Sequence, residues 1–194
     1  MPTLNLHVLR AAEPAWGDYG HILANGLAEI SQEEALLLDR TGPFVPPMTF
    51  PWPHIVVTDD FRRELESAAF VGVAFREVIK RKIVHLDWHL WDRKLDEPAV
   101  YPRGGEPEHY IVYGKHDAAL AAQMCPMWNL VVPVRPGLQI EGGPVVDLSQ
   151  YDGKDICCGS RFGYTFITDR LKVFLESRVG EWVSTAAAHT RRHA

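Results

Sequence analysis

Ile55–Ser67, IVVTDDFRRELES, is the stretch from which the fold of this chain can be read. Ile55, Val56 and Val57 form a short apolar run suited to a buried strand, and Thr58 stops it. A threonine hydroxyl can accept from an orphan amide of a first helical turn, and Asp59 favours the positive helix end, so the spacing predicts a capped helix with Phe61 and Leu65 on one face. A similar stretch returns at Thr165–Ser177, TFITDRLKVFLES, with Thr, Asp, Leu, Glu and Ser at the same offsets. The sequence thus predicts two similar strand–helix units, near 54–75 and 164–183.

Outward from these units, Leu4, Leu6 and Val8 alternate in a first predicted strand over 3–10. Trp16 to Gly20 breaks it. Ser31-Gln32-Glu33-Glu34 has capping-box form ahead of Ala35–Leu38 and predicts a short helix. Arg40 to Pro53, RTGPFVPPMTFPWP, holds five prolines in fourteen residues, which excludes a helix and predicts an extended strap packed on the core. Val71–Val78 and Ile83–Leu90 read as two strands joined by a basic turn at Lys80-Arg81-Lys82. In the second, Val84, Leu86, Trp88 and Leu90 alternate with His85, Asp87, His89 and Trp91, the pattern of a strand with one buried face.

Residues 92–107 form a polar loop with three prolines. Tyr110–Tyr113 reads as a strand, His116–Cys125 as a helix ended by Pro126, and Met127–Val134 as extended. Residues 137–159 are glycine-rich and turn-like, with a strand at 144–148. From Ser184 no apolar pattern remains, which predicts a flexible tail over 184–194. The fold expected is α+β: a single domain over 1–183, with a two-lobed arrangement as the variant the paired units allow, a mixed, largely antiparallel sheet and three to four short helices.

A net charge of −5 argues against nucleic acid as main partner, because phosphate binding needs a basic face. No membrane-length apolar run and no secretory leader pattern is present, so the expected setting is cytoplasmic. Three cysteines with Cys157 and Cys158 adjacent make a poor disulfide framework and read as buried structural thiols. Phosphate-loop, nucleophile-elbow and HExxH patterns are missing, so no cofactor and no catalytic residue is assigned and the reading is not an enzyme.

His85, Asp87 and His89 are the one metal-like cluster, because alternate strand positions can converge on an ion; an exposed polar face is the plainer reading of them. The same three residues, with Trp91 and with Tyr101 and Arg103 of the following loop, are the candidates for partner binding, since rigid aromatics and adaptable loops are what interfaces use. A metal-dependent enzyme on His85, Asp87 and His89, or a structural accessory domain, are the alternative readings.

Arg40–Pro51, followed by the Val-Val-Thr-Asp unit and by Ile83–Arg93, IVHLDWHLWDR, resembles bacterial toxin-immunity proteins related to those carrying a doubled CxxCG motif. The resemblance spans residues 40–93 and, more loosely, 162–177. It implies a small cytosolic protein of a polymorphic toxin system that binds and neutralises a cognate protein toxin. This chain has only Cys157-Cys158-Gly159 in place of CxxCG, so no zinc knuckle carries over, and no interface residue transfers by motif.

Overall fold

The computed structural model describes residues 4–140, 143–160 and 162–191; the first residue of the strand expected over 3–10 and the last three of the expected tail lie outside them. Elements run β1 (Leu6–Ala11), α1 (Asp18–Asn25), β2 (Leu27–Ile30), β3 (Leu36–Gly42), β4 (Met48–Thr49), β5 (Val56–Thr58), α2 (Asp59–Ser67) and β6 (Phe75–His85). Then come α3 (His109–Val112), α4 (Ala118–Gln123), β7 (Met127–Leu130), β8 (Gln139–Ile140), β9 (Val145–Asp147), β10 (Ile156–Cys158), β11 (Thr165–Thr168), α5 (Asp169–Val179), β12 (Val183–Ala187) and β13 (His189–Arg191). The chain is α+β: three sheets, mostly antiparallel, and five α-helices among the described residues. β3 pairs with β6, and β13 with β9, in parallel.

Two compact units divide the chain, each discontinuous in sequence. The first comprises Met1–Ala12, Arg62–Phe75 and Leu130–Ala194. Its larger sheet has the order β10-β11-β1-β12, and Leu6, Val8, Leu138, Val146, Cys157 and Phe166 form its core. Asp155 ties its segments together: the carboxylate accepts from Thr168 Oγ1 at 2.7 Å, from the Val71 amide at 2.9 Å and from Arg170 at 3.3 Å. Because Thr168 Oγ1 also accepts from the Leu171 amide, one hydroxyl both caps α5 and holds the clamp.

The second unit comprises Glu13–Phe61 and Arg76–Asn129 and holds the sheet β2-β3-β6-β7-β5-β4. Leu36, Leu38, Val56, Val78, Ile83, Met124 and Met127 form its core. Both expected strand–helix units are present, as β5–α2 and β11–α5, with Phe61 and Leu65, and Leu171 and Leu175, buried at matching offsets. The strap is extended as its prolines require, and Met48 within it is buried.

Local readings fail where one residue serves a different purpose. Ser31 does not cap a helix: its hydroxyl accepts from Glu33 and Ala35 amides in the β2–β3 turn, and Leu36 and Leu38 alternate inward on a strand. Lys80-Arg81-Lys82 is no turn, because β6 runs straight through it and Arg81 finds its carboxylates across the sheet, on Asp39 and Glu29. The strand then ends at His85, and Trp88–Leu90 is a single 3₁₀ turn, so the expected alternation over 85–91 does not exist. Tyr110–Val112 is helical, with Tyr110 and Ile111 buried side by side.

Further elements escaped the pattern. Helix α1 lies where a break was expected; Trp16 and Gly17 enter it with positive φ, and a Cβ on Gly20 would meet the Ala15 carbonyl oxygen at 1.8 Å. β8 and β10 lie within the stretch read as turns. The tail expected to be flexible from Ser184 is strand through Arg191: β12 lies antiparallel to β1, and β13 parallel to β9. Edge strands bury one flank only, so they need no apolar pattern of their own.

Candidate functional site

The candidate residues all belong to the second unit, and the end of β6 positions them. Gly42 of β3 pairs with His85, and the Leu86 amide donates to the Gly42 carbonyl at 2.8 Å, after which the chain leaves the sheet. His85 Nε2 meets Asp87 Oδ2 at 3.1 Å, with both side chains near half exposed. His89 points elsewhere: it stacks on Phe44 at 5.0 Å between centroids and 22° between planes, and its buried Nδ1 has no hydrogen-bond partner among the described residues. The three candidates for a metal site are therefore a pair and an outlier. Among the described residues no three His, Cys, Asp or Glu side chains gather as a metal-holding group.

What the structure assembles here is aromatic. Trp91, expected on an exposed face, is half-buried, with its ring 5.7 Å from Trp16 and 6.3 Å from Tyr110. Tyr19 of α1 meets Tyr101 edge-on at 5.3 Å and Tyr110 at 6.3 Å. Offset and edge-to-face pairs of this kind add roughly 0.5–1.5 kcal/mol each beyond their buried area. Trp88 is buried, with Phe44 edge-on at 5.3 Å and the Arg93 guanidinium 5.7 Å above its ring.

Two phenols fasten the loop that follows. Tyr19 donates to the Gly105 carbonyl at 2.6 Å, and Tyr110 donates to the Val100 carbonyl. Burial pushes the Tyr110 phenol up to about 12, with Tyr19 and Tyr101 adding to it, so the donor keeps its proton throughout the neutral range. Tyr101 is likewise raised, first by desolvation and then by neighbouring Glu97. The loop is thus irregular in backbone and anchored at two carbonyls.

Helix α1, which supplies Tyr19, is held at its C-terminal end by a residue that the sequence reading treated as part of the strap. Arg40 is fully buried; Nε donates to the Thr41 carbonyl at 3.1 Å and Nη2 to the Ala24 carbonyl at 3.3 Å. A guanidinium at a helix C-terminus meets carbonyls that lack intrahelical partners, and the helix dipole favours it there. Burial pulls Arg40 down to about 10, and it stays charged at neutral pH. The signal for this was a lone arginine in an apolar stretch, which sequence alone does not distinguish from a surface charge.

Exposed apolar side chains concentrate around this cluster. Leu90, Leu95, Val100, Tyr101, Val112 and Tyr113 are all at least 48% exposed, half of the large apolar residues that stand out from the described surface. They share segments with Trp91, Tyr110 and the anchored loop, and His109 packs on Tyr113 at 4.4 Å. Arg103 is exposed on the same loop, before Gly104 and Gly105, whose φ values of 89° and 86° favour glycine. Rings and backbone fixed in this way have little conformational entropy left to lose.

No helix among the described residues is long and apolar enough to cross a membrane. Comparison with protein-family models, with curated proteins and with solved structures finds no match to this chain.

Proposed function

We propose that this chain is a non-enzymatic protein-binding module, an immunity protein that occludes a cognate bacterial toxin by direct contact. The observation supporting a binding surface is the cluster of exposed apolar side chains at 90–113, held on an aromatic platform and a loop tied down by Tyr19 and Tyr110. Toxin as the partner rests on the resemblance of residues 40–93 to immunity proteins. Within the face, Tyr101, Leu90 and Tyr113 are the anchors. Trp91 belongs to the platform beneath, because it packs on Trp16 and Tyr110.

The test is co-expression with the product of the adjoining gene, scoring rescue from toxicity and co-purification. Rescue with a stable complex is the expected result; neither rescue nor complex overturns the reading. Given a complex, Tyr101→Ala weakens binding by more than about 1 kcal/mol while the fold is kept, its melting temperature falling by only the few degrees expected from loss of the Tyr19 contact. Wild-type affinity in that variant removes the face from the interface.

A further inference from the structure

Charge is distributed unevenly along this fold. Residues 13–61 and 76–129, the unit that carries the aromatic face, hold 16 carboxylates against 9 cations, whereas the other unit holds 9 against 11. Of those 9 cations, Arg40 is fully buried and Arg81 is committed to Asp39 and Glu29. Arg93 lies over Trp88, and Lys82 Nζ donates to the Val112 carbonyl at 2.8 Å. On the loop around Tyr101 and Tyr113, Glu97, Glu106 and Glu108 are exposed, with Arg103 between them, and Glu97 lies near enough to the Tyr101 phenol to help raise it.

We infer that the surface docking on this face is a protein surface rich in lysine and arginine, which sets a basic side chain against the rings of Tyr101 and Tyr113 within the rim of Glu97, Glu106 and Glu108. The inference rests on the protein-binding reading above and names the chemistry of that partner. A ring face and a nearby carboxylate both attract an ammonium or guanidinium, so each reinforces the other. A second copy of this chain fits poorly, because an isologous contact would press two acidic units together. Nucleic acid fits poorly for the same reason of sign.

The experiment measures binding of the adjoining gene's product to wild type, to the triple variant Glu97→Lys/Glu106→Lys/Glu108→Lys and to Tyr101→Ala, between 50 and 500 mM NaCl. Circular dichroism and melting curves verify each fold. The expected result is an association rate that falls at least tenfold with salt, a further tenfold or greater loss in the triple variant, and partial rescue of that variant when basic residues of the partner are reversed to glutamate. Tight binding that neither salt nor the triple variant alters overturns the basic-partner inference and leaves the binding reading intact. Absence of any complex with wild type overturns both.

Discussion

Cys157 and Cys158 lie side by side in β10, buried, and desolvation pushes the Cys157 thiol up to about 12 and Cys158 in the same direction. A thiol that keeps its proton is a poor nucleophile. Native protein at pH 8 therefore reacts with a thiol reagent at one position, the exposed Cys125, and denatured protein at three. Three fast-reacting thiols in the native state would show that β10 opens. Asp169 illustrates the opposite shift. His7 Nε2 at 2.6 Å, and then Asn5 Nδ2 at 3.1 Å, hold its carboxyl below the usual carboxylate value. A group lowered on folding stabilises the native state above its unfolded pKa, and that contribution is lost as pH falls through the native one. Urea unfolding between pH 6 and pH 2 should lose stability on the acid side, and Asp169→Asn should flatten that limb; an identical limb would remove Asp169 as a contributor.

At the scale of elements, the two strand–helix units make a comparison inside one molecule. Thr58 Oγ1 accepts from the Phe61 amide at a long 3.5 Å, while Thr168 Oγ1 caps α5 and also donates to Asp155 at 2.7 Å. Thr168→Ala should therefore cost about 1–2 kcal/mol in denaturant unfolding, and Thr58→Ala about half as much. Equal losses would mean the clamp adds nothing. Arg81 forms two bonds to Asp39, at 2.9 and 2.6 Å, and one to Glu29, so Arg81→Ala should cost about 1 kcal/mol despite its partial exposure. These units were legible in the sequence because a cap, a first-turn acid and a spaced apolar pair are local signals. Arg81 misled for the converse reason: three adjacent cations resemble a turn until the strands bearing Asp39 and Glu29 are known. The site was legible only in part. Trp91 and Tyr101 join one aromatic cluster through Tyr110 and Tyr19, whereas His85 and Asp87 form a pair of their own at the end of β6, and Tyr19 and Arg40 entered through tertiary contacts no spacing displays.

For the molecule as a whole, the first and last strands decide integrity. β1 lies between β11 and β12, with Val8 opposite Phe166 on one side and Ala186 on the other. A chain ending at Trp182 loses β12, the buried Val183 and every hydrogen bond along that flank of β1. Its melting temperature should fall by roughly 10 °C or more, by analogy with the loss of several kcal/mol from a domain of this size; an unchanged transition would return these residues to the status of a frayed tail. The pairing also fixes an order of events during synthesis. Leu6 and Val8 are made well before either strand that flanks β1, because synthesis at roughly 5–20 residues per second must first pass through every element up to β11. Over that interval the nascent chain carries an apolar strand with neither neighbour made, and apolar surface left open in this way is what invites aggregation before the sheet can close.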